Sequence, residues 1–272
     1  MESVKLSLRR ARPGDESAMA EIWKRVFGDS DEYIAGFFAG LYEPGRAVCA
    51  EAEGKLVSTA FFPRLGELVS ASGERRPCSY VYAVATLPEY RSRGLGAAVS
   101  RAAAEGCLED GGVSVICPAE PSLFDFYRKT VGFSNFFAVS ETTVAPEAAA
   151  GPAAERIDAE TYFALRESLL AGTDHIAFSD RAAAYQAYLC RSGGFFRTDG
   201  GLFALERTPD GALVKEALGS VPPSALAALD AETCVMRAPA PRGAGRPFGM
   251  LLAPGPTPVG GSAEPWFGFA FD

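Results

Sequence analysis

"VYAVATLPEYRSRGLGAAV", residues 81–99, begins as an apolar, β-branched run, stops at a proline and passes through two arginines and two closely spaced glycines into an alanine-rich segment. That is the pattern of a strand handed to a helix through a glycine-rich turn. Such a junction gathers unpaired backbone N–H groups and the positive end of the helix dipole at one spot. Gly94 and Gly96 lack side chains, so a diphosphate can approach the main chain, with Arg91 and Arg93 adding charge at the rim. Alone, a Gly-x-Gly also fits a plain helix start with solvated arginines. The stretch lacks the Gly-Lys-Ser/Thr of a nucleoside-triphosphate loop and the Gly-x-Gly-x-x-Gly of a dinucleotide fold.

Upstream, "KLSLRR" alternates as a strand, and Asp15 is placed to cap a helix carrying Ala18, Met19, Ile22, Trp23, Val26 and Phe27 at helical spacing before Gly28. A second helix is expected from about Ser30 to Pro44-Gly45. "RAVCAEA", the turn Glu53-Gly54 and "KLVSTAFF" read as an antiparallel hairpin, and "CSYVYAVAT" as a third strand too apolar to have a solvent face. Downstream lie a helix with Leu95, Ala98, Val99, Ala102 and Ala103 on one side, the buried strand "VSVIC", and the short helix "SLFDFYRKTVGF" ending at Gly132.

"APEAAAGPAAE", residues 145–155, reads as a linker between residues 1–144 and 156–272. Beyond it, helices are expected near 160–171 and 180–191, then a three-stranded meander turning at Asp199-Gly200 and Asp210-Gly211. A short helix "PSALAALD" and strands "TCVMRA", "FGMLLA" and "WFGFAF" complete the chain. The order of elements echoes the first half.

The 272 residues carry a formal charge of −8, acidic in both halves, which argues against a phosphate-backbone partner. No apolar run is long enough for a membrane span and the N-terminus has no apolar signal core, so a cytoplasmic location is expected. Six cysteines without a C-x-x-C pair read as core residues, and His175, the only histidine, as a loop or packing residue; no metal site is expected.

"VATLPEYRSRGLGAAV" closely resembles the pyrophosphate-binding motif, Arg/Gln-x-x-Gly-x-Gly/Ala, of the GNAT superfamily of acetyl-CoA-dependent N-acetyltransferases, with Arg91, Gly94 and Gly96 matching it. "FDFYRKTVGF" is similar to the family's other recurrent segment, with one extra residue before the glycine. The layout resembles the tandem enhanced-intracellular-survival type, without its C-terminal lipid-carrier-like domain. The resemblance implies an α/β (α+β) fold: a GNAT domain with a mixed, largely antiparallel sheet, followed by a second, degenerate GNAT-like half.

It implies acetyl-CoA as co-substrate and direct transfer to a primary amine without metal or acyl-enzyme. Main-chain groups of the Val84-Ala85-Thr86 segment would meet the pantetheine arm, one N–H facing the thioester oxygen. The amides of Ser92, Arg93, Gly94, Leu95, Gly96 and Ala97 would hold the diphosphate, with Ser122 also touching it. Tyr127 would be the general acid for the departing thiolate; the plainer reading packs it beside Phe124 and Phe126. The C-terminal carboxylate of Asp272 would be the base, against the alternative of a frayed terminus. "ALGSVPPSAL", residues 217–226, stands where the motif should recur and offers prolines, so the second half is expected to wall the acceptor channel rather than bind a cofactor. A small-molecule or peptide amine and a homo-oligomer are admissible; a non-catalytic acyl-CoA sensor is the rival from another class, which would keep its function with Phe at 127.

Overall fold

A computed structural model describes residues 6–145, 154–208, 211–226, 234–257 and 259–271. The chain begins β1 (Leu6–Arg10), α1 (Glu16–Phe27), α2 (Asp31–Gly40), β2 (Ala47–Ala52) and β3 (Lys55–Phe61). It continues β4 (Arg64–Val69), β5 (Arg75–Tyr80), β6 (Tyr82–Thr86), α3 (Leu95–Leu108), β7 (Val113–Ile116), α4 (Pro121–Thr130) and β8 (Ser134–Val144). The remainder is β9 (Glu155–Ile157), α5 (Ala159–Leu169), β10 (His175–Phe178), α6 (Asp180–Leu189), β11 (Gly194–Arg197), β12 (Gly200–Thr208), β13 (Gly211–Ser220), β14 (Cys234–Pro239) and β15 (Arg246–Leu252). The fold is mixed α/β, with antiparallel and mixed pairing.

Two compact units result. The first comprises Met1–Gly66, Arg76–Asn135 and Met250–Thr257; the second comprises Glu67–Arg75, Phe136–Gly249 and Pro258–Asp272. In the first, β1, β2, β3 and β6 form an antiparallel sheet in that order, while β7 pairs parallel with β5 and antiparallel with β15. Val48, Ala50, Val57, Phe62, Val99, Ala103, Ile116, Tyr127 and Met250 share its core. Burying each large apolar side chain is worth about 1.5–3 kcal/mol before ordering costs.

The second unit orders its strands β9-β11-β12-β13-β14-β8, antiparallel except for the parallel β13–β14 pair. Its cores gather Phe203, Leu205, Val214 and Leu226, and Tyr162, Phe195, Leu202 and Phe269.

Several expectations need correction. Asp15 precedes α1 but makes no side-chain cap: its carboxylate takes Arg9 Nη1 at 2.6 Å and the Arg12 N–H at 2.7 Å. Ser30 does cap α2, accepting from the Tyr33 N–H at 3.1 Å, but that helix stops at Gly40, before the Pro44-Gly45 signal. "CSYVYAVAT" is two strands in two sheets, and the second is only partly covered: Tyr82, Ala83, Val84 and Thr86 are half-buried.

Of the expected short helix "PSALAALD", Pro223–Leu226 forms a 3-10 turn and the rest lies outside the described residues. "WFGFAF" is buried but forms no strand, since Gly268 at φ +79° breaks the extended run and only single-residue bridging of Trp266 to His175 remains. β4 and β10 were not foreseen. Most of the 145–155 linker, Asp210 and Asp272 lie outside the described residues, and β9 already begins at Glu155.

Candidate active site

The site is built where one strand leaves one sheet for another. Tyr80 on β5 lies opposite Val115 of β7, and the next residue, Val81, still donates its N–H to the Val115 carbonyl at 2.8 Å. Ala83 then takes φ +46°, a conformation that strains an L residue, and the chain continues as β6 beside β3. β6 ends its sheet, and among the described residues no β6–β7 pairing exists.

The Leu87 N–H donates to the Val57 carbonyl at 2.9 Å, so by strand alternation the main-chain groups of Ala85 face β3 and those of Val84 and Thr86 face the open edge. The Thr86 carbonyl accepts from Arg91 Nε at 3.2 Å. Val84 keeps an outward N–H and carbonyl on the open edge. Beneath them Ser58, fully buried, donates to the Ala85 carbonyl at 2.7 Å and lies 2.8 Å from Thr86 Oγ1.

After β6, Pro88–Tyr90 forms one 3-10 turn, Ser92 adopts φ +61°, and Gly94 stands at φ +77° as the residue before α3. Left-handed residues at 92 and 94 turn successive amides toward one concavity, the geometry of an anion-binding nest. The first bond of α3 is Ala98 N–H to the Gly94 carbonyl at 3.0 Å, so the amides of Leu95, Gly96 and Ala97 have no partner within the helix. Gly94 offers no side chain to cap them.

The two glycines matter for different reasons. Gly94 is demanded by its backbone, while a Cβ there would meet nothing within 4 Å. At Gly96 the backbone is helical and a Cβ would only touch Thr86 Oγ1, at 3.7 Å. The fold itself would accept alanine at 96, so the bare surface there suits an incoming group rather than internal packing.

Arg91 and Arg93 are exposed and fold back on the turn, Arg93 donating to the Glu89 carbonyl at 3.3 Å with its guanidinium 5.2 Å from the Tyr90 ring centre. They hold the turn's shape and leave positive charge at its rim.

Tyr127 sits on α4 with its side chain turned into the core, ring-to-ring with Phe126 at 5.1 Å and Phe133 at 6.3 Å. Burial pushes its phenol up to about 12, with a hydrogen bond to Ser100 acting in the opposite direction. The proton therefore stays on the phenol throughout the neutral range. Arg101 Nη2 on α3 donates to the Thr130 carbonyl at 2.5 Å and ties the two helices together.

Thus Leu95, Val99 and Tyr127 lie in one core cluster, with Val84, Leu87 and Tyr90 packed against it. Ser122 is exposed at the start of α4, and Arg128 and Lys129 form a solvated face paired with Asp125. Ser58 and Ser100 were missed, because single serines in an apolar strand and an alanine-rich helix carry no local signal.

Other candidate groups serve packing. Five cysteines are buried, and burial drives the Cys78 thiol well above its ordinary range, which leaves no ready thiolate there. His175 is a buried strand residue, Nδ1 at 2.7 Å from the Thr173 carbonyl and Nε2 at 3.2 Å from Glu167. Among the described residues no group of three acidic, cysteine or histidine side chains is placed to hold a metal ion, and no helix is long and apolar enough to cross a membrane.

Residues 7–134 match the model of the acetyltransferase (GNAT) domain. The chain is similar in structure to a GCN5-related N-acetyltransferase from Kribbella flavida, with TM-score 0.67 and 14% identity over 92% of this chain and 71% of that one. It is also similar to Eis1 from Mycobacterium abscessus, with TM-score 0.60 and 14% identity over 85% of this chain and 65% of that one. A GCN5-related N-acetyltransferase from Sphaerobacter thermophilus aligns over 94% of this chain and 99% of its own, with TM-score 0.56 and 14% identity. At such identities the likeness carries the fold. No protein of curated function matches the sequence.

Proposed function

We propose that the protein is an N-acetyltransferase that moves the acetyl group of acetyl-CoA to a primary amine by direct attack in a ternary complex. The observation that carries this reading is the uncapped start of α3 behind Gly94, with a glycine at 96 that packing does not require. The match of residues 7–134 to the acetyltransferase domain supports it.

Acetyl-CoA, when bound, supplies the activated acetyl group; the residues of this chain bind and orient it. The amides from Ser92 to Ala97 take the diphosphate, and Arg91 and Arg93 add charge. The outward main-chain groups of Val84 pair with the amide-bearing arm as another strand would, and an N–H on this edge stabilises charge on the thioester oxygen. Tyr127 holds a proton for the departing sulfur. The acceptor is a small-molecule or peptide amine.

The test is release of free coenzyme A thiol from acetyl-CoA in the presence of a panel of amines, including polyamines, aminoglycosides and peptides. Amine-dependent release is expected. A protein that binds acetyl-CoA yet transfers to no amine, and keeps that binding unchanged as Tyr127→Phe, would instead be an acyl-CoA sensor.

A further inference from the structure

β3, "KLVSTAF", interrupts its apolar run with two hydroxyls, Ser58 and Thr59. Ala60 and Phe62 belong to the core cluster that holds Val99 and Ala103 of α3, so by strand alternation Ser58 lies on the face that α3 covers. It is fully buried. A buried serine satisfied by a main-chain carbonyl is ordinary packing. This one reaches across to the neighbouring strand and meets both residues that end β6: its Oγ donates to the Ala85 carbonyl at 2.7 Å and lies 2.8 Å from Thr86 Oγ1.

A serine hydroxyl has one proton and two acceptor sites. The Ala85 carbonyl can only accept, which commits the Ser58 proton to it, and Thr86 is then the donor between the two hydroxyls. With its own proton turned toward β3, Thr86 Oγ1 keeps only lone pairs for its other neighbours. Gly96 stands beside it, since a Cβ there would touch the same oxygen at 3.7 Å. An acceptor oxygen suits the positive end of a helix, and an O–H pointed that way would not. Ser58 thereby sets the polarity with which the end of β6 meets the start of α3.

The brace matters because β6 has little other support. It pairs with β3 alone, the register shifts between Thr59 and Phe61, and Ala83 stands at φ +46°. The Thr86 carbonyl accepts from Arg91 Nε at 3.2 Å. Thr86 is therefore tied to β3 through its side chain and to the glycine turn through its main chain.

We infer that Ser58 is a positioning residue for acyl-CoA binding: through Thr86 it holds the outward main-chain groups of Val84 in register with the amides of Leu95, Gly96 and Ala97. This rests on the acetyltransferase reading above, in which one ligand meets the strand edge with its arm and the amides with its diphosphate. Such a ligand gains from the second contact only where geometry lets both be made at once. Ser58 itself touches neither half of the ligand, and no proton or bond changes hands at it.

The experiment is a double-mutant cycle of Ser58→Ala and Thr86→Val, read as an unfolding equilibrium without ligand and as the dissociation constant of acetyl-CoA by calorimetry, at a temperature where every variant is folded. In unfolding, the two substitutions are expected to be non-additive by about fivefold in the equilibrium constant, as for groups in contact. The reason is that Ser58→Ala alone leaves the Thr86 hydroxyl without its acceptor, a loss that Thr86→Val removes. In binding, each single substitution is expected to weaken acetyl-CoA about tenfold, and the double no further than either, because the two hydroxyls align one pair of contacts. Val48→Ala, a truncation in the same core away from β6, is the control: it is expected to lower stability and leave the dissociation constant unchanged. Wild-type affinity in folded Ser58→Ala overturns the assignment, as do additive unfolding effects or an equal loss of affinity in Val48→Ala, and each leaves the acetyltransferase reading standing. A folded wild-type protein that binds no acetyl-CoA overturns that reading itself, a result seen before any variant is made.

Discussion

β6 and β13 are both strands that run into a turn, yet they are opposites in what surrounds them. β6 borders only β3 and presents Val84 to an open edge, whereas β13 pairs with β12 along its length and also with β14 over residues 212–214. β6 leads through Gly94 into a fourteen-residue helix with bare amides; β13 leads through Pro222 and Pro223 into a four-residue 3-10 turn. At the strand end Gly219 already lies against Gly200, where a Cβ would sit 2.3 Å from the carbonyl oxygen. An edge strand followed by uncapped amides has unmet hydrogen bonds to offer a ligand; a turn entered through two prolines has two fewer N–H groups to give.

The polar groups differ in the same sense. Around β6 they are neutral hydroxyls, Ser58, Thr86 and Ser100. On β13, Glu216 is fully buried and accepts from Arg166 Nε at 2.9 Å, Tyr162 Oη at 3.0 Å and Trp266 Nε1 at 2.6 Å. That carboxylate holds the second unit's helix α5 and its last aromatic residues together. Gly268 passes directly over it, a Cβ there falling 2.7 Å from both Glu216 and Arg166. Polarity serves a candidate site in one unit and internal architecture in the other.

The largest effect should come from breaking that architecture. Glu216→Ala leaves the buried Arg166 with only the partly exposed Glu167 as counter-charge and strips Tyr162 and Trp266 of their acceptor, and is expected to cost about 3 kcal/mol in denaturant unfolding. A loss below about 1 kcal/mol would mean that water enters the network. Next, Tyr127→Phe should reduce kcat by about 10²-fold or more while leaving acetyl-CoA binding intact, since the hydroxyl and not the ring carries the proton.

The two glycines then separate fold from ligand. Gly94→Ala forces a side chain into the left-handed region and should destabilise the protein by about 1–2 kcal/mol. Gly96→Ala should instead raise stability by about 0.5–1 kcal/mol, as alanine does within helices, yet weaken acetyl-CoA binding measurably by calorimetry. If Gly96→Ala binds as wild type, the bare turn is not where the diphosphate lies.

The smallest effect is electrostatic. The Arg9 guanidinium beside Asp15, with the Arg12 N–H, holds that carboxyl below its ordinary value of 3.8. The carboxylate's contribution is therefore present above pH 3.8 and lost as pH falls through its lower folded value. Thermal unfolding from pH 7 to pH 2 should show a steeper acid loss for wild type than for Asp15→Asn.

Local pattern made the first unit largely readable. The Glu53-Gly54 hairpin, α1 and α3 follow from spacing and from glycines at their ends, and the turn at 91–96 announced itself by composition. The division of "CSYVYAVAT" did not, because it depends on Val81 bonding to Val115, thirty-four residues away, and on a left-handed alanine that no alternation signals. Nothing local in "ALVKEALG" signals that Lys215 and Glu216 are buried: Lys215 pairs with Glu206 on β12, and Glu216 with Arg166 on α5 and Trp266 near the C-terminus. "WFGFAF" has a strand's composition, but its central glycine turns the chain within the core. The short helix that carries Tyr127 was legible from its segment, whereas the buried Ser100 on α3 had no local signal.

Calorimetric titration with acetyl-CoA, with ATP as comparison, tests the contrast between the two turns most directly. One site per chain, abolished by Gly94→Val and Gly96→Val together and absent for ATP, is the predicted result. Two sites per chain, or none in a folded sample, would contradict it.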